Sequence, residues 1–282
     1  MGGNRMAKIL LTGGAGLVGR TLTPMLRGAH EVRHFETANP GDGLPCIQGD
    51  LRDRPALERA CSGMDAVIHV AALHGRAWQA AGDETAFDVN FNGTRNVLEA
   101  AVRQGIRRVV FTSSIWATGH GPNPPYLPID ENLPREPVEL YGLTKALGEK
   151  LCRYYAAKFG LSILILRPGG IRPADNYSPG IAGFLFGTVD VRDVARAHVL
   201  ALESPAGACC EAFIITADSP LCRVAPEDYR RDPAATLDRV IPGATAAVAA
   251  GRLKLDPNAE WYSIEKARRV LGYAPEYNFQ IV

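Results

Sequence analysis

The chain has 282 residues, 46% hydrophobic and 22% charged, enough to bury a sizeable core in one large domain or in a main domain with a smaller companion. Lys and Arg number 31 against 30 Asp and Glu, and a formal charge of +1 gives no basis for attraction to nucleic acid or an anionic membrane. No apolar run is long enough to span a bilayer and the N-terminus carries no secretion-signal core, so a soluble, cytoplasmic protein is expected.

The opening MGGNR precedes a second methionine, Met6, and reads as an extension outside the fold. The first predicted strand, KILLTG from Lys8, runs through Gly13, Gly14, Ala15 and Gly16 into a helix over Leu17–Leu26. A buried strand turning tightly into a helix is an arrangement in which backbone N–H groups and a helix N-terminus meet a phosphate. Glycine is needed there because a side chain would block a pyrophosphate or the helix–strand contact. The second strand, EVRHFE, ends at Glu36, 20 residues beyond Gly16. A carboxylate at that place accepts both hydroxyls of an adenosine ribose and repels a 2′-phosphate, which favours NAD over NADP. Arg33 falls on the opposite face by strand alternation.

A helix over Pro55–Cys61 follows, with Pro55 at its first position, then the strand DAVIHVAA and a helix over Glu84–Arg103 that Gly105 closes. The strand RRVVFTSS, a helix over Thr144–Phe159 closed by Gly160, and the strand LSILILRP complete the alternation. Strand and helix alternating in this way predict an α/β fold, a doubly wound parallel sheet covered on both faces. Beyond Pro168, Gly and Pro cluster, and regular patterning resumes only at VDVRDVARAHVLALE, with EAFIIT as a later strand. The expected organisation is a nucleotide-binding domain over 1–167, to which 189–203 returns. A small lobe from 168–188 and 204–282 is expected to close over the carboxyl ends of the strands, where ligands bind in such folds. Cys46, Cys61, Cys152, Cys209, Cys210 and Cys222 form no CxxC pair and have no His partner at metal-ligand spacing, so reduced thiols and no metal site are expected.

In YGLTK, Tyr141 and Lys145 are four residues apart, on one face of a helix. An ammonium beside a phenol stabilises the phenolate and lowers its pKa toward the range of a general base. Upstream, FTSSIWATG places Ser113 and Ser114 at a strand end. The three parts supply a donor for a substrate oxygen, a base for its proton and a group to fix a cofactor.

These stretches, with GDLRD (Gly49–Asp53), VIHVAAL (Val67–Leu73), DVNFNGT (Asp88–Thr94), LRP (Leu166–Pro168), VDVRDVA (Val189–Ala195) and the late IEKARRVLGYAP, resemble in order the extended short-chain dehydrogenases/reductases. Within them the chain is similar to the NAD-dependent epimerase/dehydratase group, whose fold is the Rossmann type with a small C-terminal substrate-binding lobe. The resemblance implies NAD as cofactor, with Gly13, Gly16, Leu17 and Val18 around the pyrophosphate and Glu36 on the adenosine ribose. Asp50 and Leu51 are implied beside the adenine, Val70, Ala71, Ala72 and Asn90 near the ribose and pyrophosphate, and Thr112 and Pro168 on the nicotinamide side. Tyr141 is implied as the acid/base, Lys145 as its electrostatic partner and ribose ligand, and Ser114, in preference to Ser113, as the catalytic hydroxyl. A homodimer built on the helices over Glu84–Arg103 and Thr144–Phe159 is implied as well.

Relatives acting on nucleotide sugars carry an Asn where this chain has Gly170, and a longer segment between Gly170 and Val189. In that compactness and in YGLTKALGE the chain resembles uronate dehydrogenases of the same family. Candidate substrate contacts are His74, Ser114, Trp116 and Arg172, with Arg76 and His120 as further candidates. The dehydratase branch needs an Asp–Glu pair after the catalytic hydroxyl, whereas Ile115 and Trp116 follow Ser114 here. The expected function is Tyr-Lys-Ser hydride-transfer chemistry on a sugar or nucleotide-sugar hydroxyl, first as a sugar-nucleotide epimerase of the UDP-glucose 4-epimerase kind. The alternative is an NAD-dependent dehydrogenase of a free sugar or uronic acid. A non-catalytic NAD sensor is a remote third reading, opposed by the retained Tyr–Lys pair.

Overall fold

In the first strand, β1 (Lys8–Thr12), Ile9 and Leu11 enter one hydrophobic core and Leu10 the other, and all three are fully buried. Burial on both faces belongs to a central strand of a parallel sheet flanked by helices. A computed structural model describes residues 6–119, 124–205 and 210–282 of the chain. After β1 come α1 (Leu17–Arg27), β2 (Glu31–Glu36), β3 (Cys46–Gln48), α2 (Arg54–Cys61) and β4 (Ala66–His69). They are followed by α3 (Gly75–Ala81), α4 (Asp83–Arg103), β5 (Arg108–Thr112), α5 (Leu140–Phe159) and β6 (Ser162–Pro168). The chain continues through β7 (Gly170–Arg172), β8 (Thr188–Asp190), α6 (Val191–Glu203) and β9 (Cys210–Ile215). Short helices α7 (Pro226–Arg231), α8 (Pro233–Asp238), α9 (Ala244–Ala249) and α10 (Glu265–Leu271) lie beyond them.

Seven strands form one parallel sheet in the order β3-β2-β1-β4-β5-β6-β9. One face packs on Leu22 and Leu26 of α1 and Val194 and Ala197 of α6, the other on Leu57 of α2, Val97 of α4 and Cys152 of α5. The alternation repeats in β6, where Leu164 and Leu166 enter the first core and Ile163 and Ile165 the second. This is the doubly wound Rossmann-type α/β fold. A third core gathers Phe184, Leu185, Leu221, Tyr229, Leu237 and Trp261 from the segments after β6 and β9. No helix among the described residues is long and apolar enough to cross a membrane.

Several expectations need correction. β9 joins the main sheet beside β6 because its residues are buried on both faces, Ala212 in one core and Phe213 to Ile215 around the other, so 204–282 does not lie wholly in the lobe. Val189 and Asp190 pair with β7 in a separate two-stranded sheet, and the return to the main sheet begins with α6. The helix expected from Thr144 starts at Leu140, because the Glu139 carboxylate caps it by accepting from the N–H groups of Tyr141 and Gly142. Asp53 caps α2, which places Pro55 second in that helix. Cys46, Cys61, Cys152 and Cys222 are free thiols, while Cys209 lies outside the described residues.

Candidate active site

The carboxyl ends of β1, β2, β4, β5 and β6 open on one cavity of about 680 Å³. At its β1 side Gly13 has φ +79°, and a Cβ there would lie 2.6 Å from the Ala71 nitrogen. The turn after β1 therefore sits directly on the turn after β4, a closeness only glycine permits. Gly16 is the N-cap residue of α1 and supplies no capping side chain, so the amino end of this helix, with Leu17 and Val18, stands uncapped on the cavity wall. An uncapped helix N-terminus carries partial positive charge and free donors. Glu36 lines the cavity at the end of β2, its carboxylate accepting from Ala15 N at 3.4 Å and Thr37 N at 2.9 Å. The Arg33 guanidinium turns the other way and donates to the carbonyls of Ala60 and Ser62 at 3.0 and 2.9 Å. Glycine turn, uncapped helix and strand-end carboxylate fit an NAD diphosphate and adenosine ribose.

Asp50 and Leu51 are on the same wall, as are Val70, Ala71 and Ala72. Arg52 forks onto the Asp50 carboxylate at 2.9 and 2.8 Å, and this hydrogen bonding holds Asp50 below the usual carboxylate range. Leu51 is buried beneath Gly93, where a Cβ would lie 2.7 Å from it.

Tyr141, Lys145 and Ser114 lie at the other end. Gly142 lets the start of α5 press against the backbone of Trp116, whose carbonyl a Cβ would strike, and this brings Tyr141 beside Ser114. The Ser114 hydroxyl lies beside the Tyr141 phenol, its Oγ accepting from Trp116 N at 3.2 Å. His74 and Trp78 flank the phenol with ring centroids 6.1 and 6.2 Å away, the latter edge-on. Lys145 is buried, its Nζ donating to the Thr112 carbonyl at 2.8 Å and lying 5.7 Å from the Tyr141 ring centre. Burial pushes this ammonium down to about 8. The expected net lowering of the phenol is not found: burial pushes Tyr141 up to about 12, the Ser114 hydroxyl works against this, and the Glu139 carboxylate adds to it.

The two serines separate cleanly. Ser113 donates to Glu149 Oε1 at 2.8 Å, leaving Ser114 as the hydroxyl beside Tyr141. Glu149 is fully buried one turn after Lys145 on α5 and also receives Arg167 through Nε and Nη2, both at 2.8 Å, and Arg135 Nε at 2.7 Å. It links the ends of β5 and β6 to the helix that carries Tyr141. Thr112 lines the cavity, but its hydroxyl pairs with His198 Nε2 at 2.8 Å, so its carbonyl is what it offers Lys145. Pro168 ends β6 on the wall, followed by Gly169, Gly170 and Ile171.

Three candidates are placed elsewhere, and a fourth is not described. Asn90 is buried off the cavity wall, its amide bridging the N–H and C=O of Leu73 at 2.7 and 2.9 Å, so it braces the turn after β4. Arg172 is exposed on β7 and off the wall, because strand alternation turns Ile171 inward in its place. Arg76 is exposed on α3 and also off the wall. His120 lies outside the described residues. His74 and Trp116 do line the cavity. Trp78 and the Glu149 clamp had no sequence signal, since each acts through residues distant along the chain.

A doubly wound sheet with a glycine cradle at β1 and a Tyr–Lys pair beside a strand-end serine defines an NAD-dependent enzyme of the extended short-chain dehydrogenase/reductase class. The sequence pattern of the NAD dependent epimerase/dehydratase family matches residues 9–184, and the chain belongs to that family. It is 36% identical over 182 residues to L-arabinose 1-dehydrogenase (NAD(P)(+)) of Haloferax volcanii, a match covering 60% of this chain and 69% of that protein. A short-chain dehydrogenase/reductase superfamily protein of Agrobacterium tumefaciens, solved with bound NAD, superposes with TM-score 0.74 at 29% identity, over 96% of this chain and 93% of the other. UDP-glucose 4-epimerase of Thermus thermophilus, solved with NAD, gives TM-score 0.68 at 25% identity, over 95% and 94%. NAD is the cofactor of this chain, and its activity is of the epimerase/dehydrogenase kind.

Proposed function

We propose that the protein oxidises a hydroxyl of a free sugar. Bound NAD supplies the hydride acceptor. The Tyr141 phenol oxygen takes the hydroxyl proton, Ser114 hydrogen-bonds the same substrate oxygen as it becomes a carbonyl, and Lys145, held on the Thr112 carbonyl, keeps a positive charge beside the reacting group. Gly13, Gly16, Leu17 and Val18 surround the pyrophosphate in this reading and Glu36 takes the adenosine ribose. Asp50 and Leu51 border the adenine, Val70 to Ala72 follow the cofactor across β4, and Pro168 with the Thr112 backbone borders the nicotinamide. The observation that carries the reading is the meeting of Ser114, Tyr141 and buried Lys145 on one wall shared with the glycine cradle.

The dehydrogenase version draws on the short link from β7 to β8, which holds two brief 3-10 turns, Ala174–Asn176 and Ala182–Leu185, and on the similarity to an L-arabinose dehydrogenase. The second reading, epimerisation of a nucleotide sugar with the ketone retained, draws on the fold-wide likeness to a UDP-glucose 4-epimerase. A cytoplasmic homodimer built on α4 and α5 belongs to both readings. The test gives the purified protein NAD with free aldoses, hexuronates or UDP-sugars and follows NADH and sugar products together. Stoichiometric NADH from a free sugar supports oxidation; an epimer without net NADH replaces it with the second reading.

A further inference from the structure

We infer that the substrate end of the cavity takes an uncharged polyhydroxyl compound, a neutral aldose or polyol, in preference to a uronate or a sugar diphosphate. The inference rests on the sugar-oxidation reading and narrows its substrate. Glu36 ends β2 and Pro168 ends β6, with β1, β4 and β5 between them in the sheet. Four strand spacings make about 19 Å, so the cavity has distinct cofactor and substrate ends.

The basic side chains borne by the elements around the substrate end are engaged or directed elsewhere, and Arg76 of α3 is exposed off the wall. Among the described residues, the cationic side chains on the wall are Arg52 and Lys145. Arg52 belongs to the cofactor end, forked onto Asp50 with Asp88 at 3.7 Å. Lys145 is buried on the Thr112 carbonyl. Arg167, adjacent to Pro168, is fully buried on Glu149. Arg172 follows Ile171 but is exposed on β7, and Arg192 is forked onto Asp190 with its guanidinium 3.5 Å from the centre of the Tyr277 ring.

What the wall presents instead is neutral. Beside the Ser114 hydroxyl and Tyr141 phenol stands the His74 imidazole, whose pKa partial desolvation and the nearby Lys145 charge lower, a group that in its neutral form both donates and accepts. Trp116, 53% exposed, and Ile171 add apolar surface, and Gly169 and Gly170 leave room. Short donors and acceptors set among apolar faces match a sugar ring, with hydroxyls on its rim and C–H on its faces. An anion placed here loses hydration without gaining a cationic partner.

The test sets neutral sugars against anionic counterparts that carry the same ring. Binding of D-glucose against D-glucuronate, and of D-galactose against D-galacturonate and UDP-galactose, is measured by titration calorimetry on the full chain loaded with NADH. NADH formation from each is measured on the NAD-loaded protein. The expected result is that neither anion binds tighter than its neutral counterpart and that oxidation, where it occurs, favours the neutral sugar at least tenfold in kcat/KM. Tenfold tighter binding of either anion overturns the inference, and loss of that advantage in Arg76→Ala would identify the cation responsible. In Ile171→Arg, a cation set on the wall should shift the uronate-to-aldose binding ratio toward the uronate tenfold or more; no shift counts against the wall assignment. If no sugar yields NADH, the oxidation reading fails, while the paired binding constants still decide the question of charge.

Discussion

Glu149 and Arg167 meet with both side chains fully buried, Nε and Nη2 of the guanidinium each donating to a carboxylate oxygen at 2.8 Å. The pair joins the strand that ends in Pro168 to the helix that carries Tyr141 and Lys145, and Ser113 ties the next strand to the same carboxylate. Removing one partner strands a buried charge. Glu149→Gln should therefore cost about 3–5 kcal/mol of stability. Arg135 bonds the same carboxylate from a side chain 23% exposed, so Arg135→Gln should cost about 1 kcal/mol. Urea unfolding of the two variants decides it; equal losses would contradict the burial argument.

Tyr141→Phe should keep NAD affinity within about threefold and lower turnover by roughly 10²–10⁴, the usual contribution of a general base. Normal turnover in the variant would sink the assignment of Tyr141 as the base.

With Tyr141 pushed up to about 12 by burial, its reactive phenolate is the minor form at neutral pH. Below that value its fraction grows about tenfold per pH unit, so kcat/KM for hydroxyl oxidation should climb as pH rises above neutral. The neighbouring Ser114 hydroxyl lowers the phenol, and Ser114→Ala should displace the whole limb to higher pH. A pH–rate profile that stays flat, or moves the other way in the variant, would refute this.

Glu36 is placed to accept both hydroxyls of an adenosine ribose. Glu36→Ala should weaken NAD binding about tenfold and narrow the discrimination against NADP, two lost charge-assisted bonds being worth that or more. Gly13→Ala should abolish NAD binding, since its φ of +79° and the Ala71 backbone at 2.6 Å leave no place for a methyl group. Fluorescence titration with both dinucleotides checks the pair.

His69 and His198 are buried neutral, His69 between the hydroxyls of Thr12 and Thr94 and His198 against Thr112 and the Val194 carbonyl. Burial pushes the two imidazoles down from 6.5 to about 3 and about 4. Between those values and 6.5 the unfolded chain binds protons that the fold refuses, so stability should fall as pH drops through that window. Once below 6.5 each contributes a slope of about 1.4 kcal/mol per pH unit. Lys145 carries the same sign at the alkaline end: its pKa is lowered from 10.5 to about 8, so stability should rise with pH between the two. Unfolding midpoints at pH 7, 6 and 5, and at 8 and 10, test both signs.

Local pattern determined much of this protein. The continuous apolar runs at Ile9–Leu11 and Ile163–Leu166, the glycines at 13 and 16, Glu36 at a strand end and the four-residue spacing of Tyr141 and Lys145 are each local patterns read directly along the chain. Side-chain direction within one helix or strand is fixed by the period of that element, so it is legible without a fold. Tertiary structure decided what depends on residues far apart in sequence. It joined β9 to the main sheet, set Asn90 on the Leu73 backbone, turned Arg172 outward and brought Glu149 between Ser113 and Arg167. It also decided the charge state of the site, because burial by distant elements raises Tyr141 and lowers Lys145, while neighbours along the helix specify only that the two share a face. Desolvation sums over everything packed around a group, and no stretch of sequence contains that sum.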